Sequence, residues 1–418
     1  MARMPAYRLD PSGRDIRSEA AHLRSLGDLV LVELPGEIRA WYPTRQATLE
    51  RLVTDSRVSR NPRHWSSWPE AILANPAAHW ILPYIGVTHM MSTEAEDHRR
   101  LRNLVAPAFS ARRTALMKPV VERVTEDVLD AMAARPAGEP VDLREAFAHP
   151  VPMRVICELF GLDDGERERV AAFIEAIMNT SGVGSESGEE ILAAVRGTLS
   201  GLVERKRAAP GDDMTTDLID ARDNESRLSE GELVDQLLLI LGAGHETTVN
   251  LIANAVVALL DHPDQLASVL RGEVPWSNVV EETLRWAGPV ASMPLRFATS
   301  DLEIGENRIA RGEAVLAAWA TAGWDPRAHG PESDRFDITR KPGKHLAFGH
   351  GVHRCLGTAL ARTEALTALP ALFERFPDLR LAVPGAELDR FPSFVTFGYR
   401  SPRVRLTPRA PHTRHTGH

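Results

Sequence analysis

The most informative part of this 418-residue chain is the stretch FGHGVHRCLG, residues 348–357. Gly349 and Gly351 come shortly before Cys355 and permit backbone conformations closed to other residues, so the chain can approach a flat ligand closely. A helix is predicted over residues 356–376, and its first turn offers unpaired N–H groups and a positive end, which favour a thiolate at Cys355. An anionic sulfur in this setting suits haem iron and favours O–O bond cleavage.

Two other interpretations of Cys355 compete with haem binding. Free cysteines are often buried as small hydrophobic residues, and His350, His353 and Cys355 could bind zinc, with His345 as a distant fourth ligand. Neither alternative explains the spacing of the glycines. The other cysteine, Cys157, lies in the apolar helical pattern VICELF and is interpreted as structural.

The cysteine stretch resembles the haem-binding signature of the cytochrome P450 family, Phe-Gly-x-Gly-x-His-x-Cys-x-Gly, at every defining position. The resemblance covers most of the chain, and Ala361 and Arg362 resemble those of bacterial members. It implies a mainly α fold with small β-sheets, in which haem b (iron protoporphyrin IX) is buried between a long distal helix and the proximal helix after the cysteine loop. The implied metal ligand is Cys355, with further cofactor contacts from Phe348, Gly349, His353 and Gly357.

A long helix is predicted from Ser229 to about Leu260. The sequence SEGE at its start matches a capping box, and Asp-His-Pro at residues 261–263 is a stop signal. In its centre stands AGHETT, residues 243–248, where Thr247 lies four residues after Ala243. The hydroxyl can therefore compete for the Ala243 carbonyl and open the helix locally.

Reduction of dioxygen needs two protons, and an acid next to an alcohol can deliver them. The P450 resemblance identifies this pair as Glu246 and Thr247, because the family's distal helix typically reads Ala-Gly-x-Asp/Glu-Thr. It implies that Ala243 and Gly244 line the haem face, that Thr247 positions dioxygen, and that Glu246 supports proton delivery. His245 occupies the variable position and has no assigned role.

Haem carries two propionates, which need cations or hydrogen-bond donors when they are buried. Four residues match the family's positions for this task. They are His98, Arg102, Arg296 and His353.

A Glu-x-x-Arg pair, Glu282 and Arg285, shares one face of a predicted helix. By default such a pair lies at the surface and contributes little. The resemblance instead implies a buried pair joined by Arg335, which holds the cysteine loop in place. One departure from bacterial relatives, which often read Ala-Asn-Arg-Asp-Pro, is AGWDP at residues 322–326, and it puts the local packing in doubt.

The overall composition excludes several classes of protein. With 43% hydrophobic and 25% charged residues the chain can bury a large core, and a net charge of −8 argues against general nucleic-acid binding. Two cysteines fit a reducing compartment, and no apolar leader or spanning segment is apparent, so we expect a cytoplasmic protein without membrane contact. We expect a monomer with one domain over residues 1–409 and a disordered tail over residues 410–418.

The remaining elements follow from shorter patterns. A hairpin is expected from residues 29–32 and 38–41, helices over residues 116–134, 163–180 and 189–207, and β-like runs at 295–298, 302–304 and 315–320. Walls of the substrate pocket are expected from residues 65–91, 290–293, 394–397 and the helices flanking the linker 181–185, which we interpret as part of a lid.

Together these features predict a monooxygenase that activates O2 and hydroxylates or epoxidises a small hydrophobic substrate, such as a steroid, terpenoid or polyketide-like molecule. Electrons are expected from ferredoxin and its reductase, with docking on a basic patch near the thiolate. The members of that patch are Arg99, Arg100, Arg112, Arg113 and Arg354. The alternative from another class is a haem-thiolate sensor or carrier without turnover, which would leave the acid and alcohol of the distal helix unexplained.

Overall fold

Helices form most of the structure, a computed structural model that describes residues 5–136, 138–163, 165–170, 187–221, 226–293 and 295–406. The helices are α1 Ile16–Leu26, α2 Gln46–Thr54, α3 Glu70–Leu73, α4 Leu82–Ile85, α5 Ala95–Val105, α6 Ala111–Ala133, α7 Pro150–Phe160, α8 Ser187–Ala208, α9 Met214–Asp220, α10 Glu230–Asp261, α11 Pro263–Leu270, α12 Trp276–Trp286, α13 Trp319–Gly323, α14 Pro326–His329 and α15 Thr358–Arg375. The predicted mainly α fold with small sheets is confirmed.

Within the described residues, the strands belong to three small sheets. They are β1 Tyr7–Arg8, β2 Leu29–Leu34, β3 Ile38–Pro43, β4 Val58–Ser59, β5 Pro140–Asp142, β6 Leu295–Ala298, β7 Leu302–Ile304, β8 Asn307–Ile309, β9 Ala314–Leu316, β10 Arg380–Leu381 and β11 Arg403–Arg405. The largest has the order β1-β2-β3-β9-β6-β4, and its β2–β3 hairpin agrees with the prediction. The others have the orders β10-β11-β5 and β7-β8.

The predicted long helix is α10, which has 32 residues and is roughly 48 Å long. Its capping box is formed: the Ser229 hydroxyl accepts from the Glu232 N–H, and the Glu232 carboxylate accepts from the Ser229 N–H. Because α10 contacts α7, α8, α12 and α15, it is buried over most of its surface. Among the described residues, no helix is long and apolar enough to cross a membrane.

One run was assigned to the wrong type of element. The β-like run at residues 315–320 is a strand only as far as Leu316, and helix α13 begins at Trp319. Both halves are buried, and a short buried apolar run does not distinguish strand from helix by its periodicity. Of the helix expected at 163–180, residues 165–170 are helical. The rest, the linker at 181–185 and the tail at 410–418 lie outside the described residues.

The Glu282–Arg285 pair is buried, as the resemblance implies. Arg285 Nε and Nη2 donate to the two carboxylate oxygens of Glu282 at 2.7 and 2.6 Å. The expected third member was wrong, because the Arg335 side chain is 72% exposed and pairs with Glu332. The Arg335 peptide is turned so that its carbonyl, not its side chain, accepts from Arg285. Arg340 takes the third position instead, with Nε 3.7 Å from the Glu282 carboxylate.

The departure from the bacterial pattern at residues 322–326 packs tightly beside this pair. The Gly323 carbonyl accepts from Arg285 at 2.6 Å, and a Cβ at Gly323 would lie 2.0 Å from the Arg285 carbonyl oxygen. The Trp324 indole donates to the Trp286 carbonyl, and the Arg17 guanidinium lies over both rings. The family's usual asparagine is therefore replaced here by a close backbone contact.

Candidate active site

A large cavity separates the centre of α10 from the cysteine loop. Counted with the solvent-filled space at its mouth, it measures about 2180 Å³. Ala243 and Gly244 are exposed to it although their neighbours on α10 are buried. Most of the other wall is apolar, and it includes Tyr84, Met90, Ile156, Leu159, Leu238 and Val290. The predicted wall segments 65–91, 290–293 and 394–397 contribute to this lining, as does the second of the two helices flanking the linker, through Leu192. None of the described residues of the first flanking helix lies in it.

On the proximal side the cysteine loop presents Cys355 to the cavity. Gly349 and Gly351 have φ angles of 73° and 76°, in the left-handed region that favours glycine. This backbone brings the Cys355 N–H to 2.9 Å from the Phe348 carbonyl. Phe348, Gly349 and Gly357, which were predicted to contact the cofactor, line the same wall.

The acidity of Cys355 differs from the expectation. Burial raises the pKa of its thiol, and this outweighs the opposing effects of the Gly357 backbone, the Thr358 hydroxyl and the charge of Arg102. The helix also begins later than expected: α15 starts at Thr358, not at residue 356, so Cys355 precedes the N-cap Gly357. A metal ion bound to Cys355 would favour its thiolate, because metal ions deprotonate a coordinating thiol.

An ion-pair cluster that was not predicted supports the loop. Glu281 accepts from Arg362 at 2.5 and 2.9 Å and contacts His345 Nε2 at 3.0 Å. Burial opposes ionisation, but these hydrogen bonds hold the pKa of Glu281 at about 2. The Arg362 guanidinium also lies 4.7 Å from the Phe348 ring centre. Since His345 is engaged in this way, it is not placed to complete a zinc site with Cys355.

The geometry gives the zinc interpretation no other support. Within the described residues, no group of three or more histidine, cysteine, aspartate or glutamate side chains is arranged to hold a metal ion.

On the distal side, Thr247 Oγ1 donates to the Ala243 carbonyl at 2.8 Å, the contact that the spacing predicts. The helix nevertheless continues without interruption through this position, so the expected local opening is not present. Glu246 is buried and accepts from Arg144 Nη2 at 2.6 Å and from Asn250 Nδ2 at 3.1 Å. Arg144 was missed, because an isolated arginine 102 positions away carries no motif.

Three of the four predicted propionate ligands, His98, Arg102 and His353, line the cavity. The fourth, Arg296, lies outside this lining but near enough for its charge to lower the pKa of His353. The rings of His98 and His353 lie 4.1 Å apart, and Arg102 donates to the Arg354 carbonyl. Arg296 is only 2% exposed. Within the described residues, Arg296 Nε and His98 Nε2 are buried without a hydrogen-bond partner.

These groups fit the acidic edge of a haem. Burial lowers the pKa of Arg296 to about 10, so it remains a cation at neutral pH. Burial, together with the charges of Arg102 and Arg60, lowers the pKa of His98 to about 4, so this imidazole is neutral. A buried guanidinium that lacks an acid, beside a neutral donor, suits carboxylates supplied by a ligand.

Among the buried ionisable groups that line the cavity, Arg60 and Glu364 were not predicted. Arg60 follows strand β4 and is 6% exposed. Glu364 lies on α15, and burial raises its pKa to about 8. Its Oε2 has no partner among the described residues. Neither residue belongs to a motif, although a charged side chain amid the apolar pattern of α15 was a weak signal for Glu364.

The basic patch is smaller than predicted. Arg100 pairs with Glu232, and Arg113 pairs with Asp212 and Asp217, so two of its five members are neutralised. The side chains of the other three, Arg99, Arg112 and Arg354, form no ion pair in the described part of the chain.

The cavity offers a sulfur from one wall and small residues from the other, and the described residues leave cations at its rim without acidic partners. This arrangement suits a flat, dianionic metal cofactor. These features place the protein among the haem-thiolate enzymes.

Comparisons with known proteins agree. The family model described as Cytochrome P450 matches residues 184–274 and 276–394. The 2-hydroxy-5-methyl-1-naphthoate 7-hydroxylase of Streptomyces carzinostaticus is 43% identical over 408 residues, 97% of this chain and 99% of that protein. CYP154A1 from Streptomyces coelicolor A3(2) has a TM-score of 0.89 and 44% identity, covering 96% of this chain and 100% of that one. CYP154C4 from Streptomyces sp. W2061 has a TM-score of 0.91 and 41% identity, covering 96% and 98%.

The chain therefore belongs to the cytochrome P450 family, and it resembles bacterial members over nearly its whole length. It has the single-domain fold of that family and is a haem-dependent monooxygenase. Zinc binding by the cysteine loop is thereby excluded as its function.

Proposed function

We propose that this enzyme uses haem b to hydroxylate or epoxidise a small hydrophobic molecule, with dioxygen as oxidant and electrons from ferredoxin and its reductase. The observation that carries the proposal is the pairing of Cys355 on one wall with Thr247 on the opposite helix, across a largely apolar cavity. When bound, a thiolate-ligated haem supplies the activation of dioxygen. In this proposal Cys355 is the metal ligand, and Ala243 and Gly244 lie against the face of the cofactor.

The substrate class follows from the chemistry of the walls. Aliphatic and methionine side chains dominate the cavity, so the substrate is bound mainly by burial of apolar surface. Steroids, terpenoids and polyketide-like molecules share this property. The 43% identical relative is named for a substituted naphthoate, which supports a polycyclic, polyketide-like substrate above the other two classes.

Thr247 and Glu246 divide the delivery of protons between them. The Thr247 hydroxyl is held by the Ala243 carbonyl, and release of this contact lets it donate toward dioxygen in the cavity. Glu246 reaches Thr247 only after it leaves Arg144 and Asn250, which now hold its carboxylate. Arg144 therefore controls when the acid becomes available. It is a positioning residue and does not itself touch the substrate.

Electrons enter from the proximal side. Arg99, Arg112 and Arg354 leave a basic surface next to the cysteine loop, which complements a small acidic ferredoxin. We place the enzyme in the cytoplasm as a monomer with one domain over residues 1–409. The presence of only two cysteines, both free, supports a reducing compartment.

The test combines spectral titration with turnover. Purified holoenzyme is titrated with steroids, terpenoids and aromatic polyketides while the haem absorption is recorded. Ligands that shift the spectrum are then incubated with ferredoxin, its reductase and NADPH. We expect substrate-dependent consumption of NADPH and O2, with a product one oxygen atom heavier. A ligand-induced spectral shift without such consumption would identify a sensor or carrier instead.

The variant Thr247→Ala tests the distal assignment. We expect it to consume NADPH but to form roughly ten-fold less product per NADPH, because proton delivery by a positioned group contributes about that factor or more. Thr248→Ala is the matched control, since Thr248 also contacts the carbonyl four residues before it, at 3.4 Å. An equal amount of product per NADPH in the two variants would contradict the role of Thr247.

A further inference from the structure

Two arginines face each other across neighbouring strands. Strands β4 and β6 are antiparallel, with Val58 opposite Ala298 and Ser59 opposite Phe297. Continuing this register by one residue places Arg60 opposite Arg296. Like charges in directly opposite positions destabilise a sheet, so this juxtaposition requires a compensating group.

Both arginines are almost completely buried, with exposures of 6% and 2%, and Arg60 lines the large cavity. Burial and the charge of Arg296 lower the pKa of Arg60 well below its usual value. In the described part of the chain neither guanidinium has an acidic partner. Buried charges are rarely left uncompensated, and an anion from outside the chain is therefore needed between Arg60 and Arg296.

We propose that Arg60 is a further ligand of the haem propionates, acting beside Arg296. The inference rests on the proposed function, since it requires the cofactor to be bound. Haem carries two propionates, and Arg60 and Arg296 are the two arginines of this cluster that are almost completely buried. Arg102 is less buried and already donates to the Arg354 carbonyl.

The position of Arg60 favours the cofactor over the substrate as the source of the anion. Arg60 lines the same cavity as His98 and His353, and its charge lowers the pKa of His98, which places it within the cluster at the cofactor rim. The substrate walls, by contrast, are predominantly apolar. A carboxylate on the substrate is the competing occupant, and the experiment distinguishes the two.

Three variants of the holoenzyme provide the test. Arg60→Gln removes the charge at similar size, and Arg60→Lys retains it. Arg57→Gln is the control, because Arg57 lies three residues earlier, is 47% exposed and pairs with Asp55. The measurements are the rate of haem transfer to apomyoglobin, the reduction potential of the haem, and the dissociation constants of ligands with and without a carboxylate.

We expect R60Q to lose haem roughly ten-fold faster than the parent, because a charge-assisted hydrogen bond is lost. Its potential should fall, since an uncompensated propionate favours the ferric state. R60K and R57Q should stay close to the parent in both measurements. If R60Q does not accumulate as folded holoenzyme, parental haem retention in R60K combined with rapid loss in Arg60→Met supports the same conclusion.

Haem transfer and potential in R60Q that match those of R57Q would overturn the inference. A change confined to the binding of carboxylate ligands would also overturn it and would assign Arg60 to the substrate. A parent protein that retains no haem would instead refute the proposed function, so the two failures are distinguishable.

Discussion

The cysteine loop on the proximal wall is shaped by its backbone, whereas the centre of α10 on the distal wall is distinguished by the contacts of its side chains. In the loop, Gly349 and Gly351 take left-handed conformations, and the Cys355 N–H is fixed to the Phe348 carbonyl. On the helix, the backbone is an ordinary α-helix, and Thr247 and Glu246 each hold a side-chain contact that the proposed proton delivery requires them to release.

The difference separates two kinds of requirement within one site. A ligand bond to a metal needs a fixed sulfur position, which a rigid loop braced by surrounding ion pairs provides. Proton transfer needs groups that change partners, which side chains on a stable helix provide. Replacement of the sulfur ligand in the proximal wall should therefore abolish function, whereas substitutions at Thr247 or Glu246 in the distal wall should reduce it by degrees.

The largest effect is expected for Cys355→Ser. Because a neutral hydroxyl cannot replace the thiolate, the variant should lose monooxygenase activity and the red-shifted absorption of the ferrous carbonyl complex. The measurement is the carbonyl difference spectrum together with turnover. Cys157→Ser is the control, since Cys157 is buried and contacts Met153 away from the loop. Retention of the red-shifted band in C355S would show that Cys355 is not the metal ligand, and the contrast between the proximal and distal walls would then fail.

Arg285→Ala should be the next most severe change. It leaves the buried Glu282 carboxylate and several carbonyls without their donor, which costs about 3–5 kcal/mol of unfolding free energy. Urea unfolding of the holoenzyme measures this. Arg335→Ala should change stability by less than about 0.5 kcal/mol, because its side chain is exposed. Comparable losses of unfolding free energy in the two variants would show that the Arg335 side chain does belong to the buried cluster.

Glu364→Gln should alter the pH dependence of stability. Burial raises the pKa of Glu364 to about 8 in the folded protein, above its value near 4.5 in the unfolded chain. The folded state thus keeps the Glu364 proton up to a higher pH than the unfolded chain does. The unfolding free energy of the parent therefore decreases as the pH rises from about 4.5 through 8.

We therefore expect the unfolding free energy of E364Q to increase relative to that of the parent as the pH rises, by at most about 1.4 kcal/mol per pH unit. Thermal unfolding at several pH values measures the difference. Glu374→Gln, at an exposed position on the same helix, is the control. A difference between parent and E364Q that does not vary with pH would show that Glu364 is already ionised when buried.

The smallest effect concerns the outer face of the proximal wall. Arg354→Gln should slow reduction by ferredoxin about two- to five-fold at low ionic strength, and the deficit should shrink as salt screens the remaining charges. Stopped-flow reduction measures it. Arg308→Gln, in the separate β7–β8 sheet, should have no effect. Reduction by the parent that does not depend on salt would contradict electrostatic docking.

The sequence predicted best where function depends on a local pattern. The cysteine loop, the capping box of α10 and the Thr247–Ala243 contact all follow from spacing over ten residues or fewer. Partners distant in the chain were missed. Arg144 reaches Glu246 across 102 positions, and Arg60 meets Arg296 only through sheet pairing. The third member of the Glu282–Arg285 cluster was misplaced, because the direction of a side chain in an irregular segment depends on turns that carry no periodicity.

The close approach of Gly323 to Arg285 has a consequence for how this chain can change. Introducing the asparagine common among bacterial relatives would place the new Cβ only 2.0 Å from the Arg285 carbonyl oxygen, so that residue does not fit this backbone. The neighbouring Trp324 reinforces this, because its ring now occupies space beside Arg17. Replacement of Gly323 alone should therefore destabilise the protein, and engineering the family's common sequence into this segment requires compensating substitutions around Arg285 and Trp324.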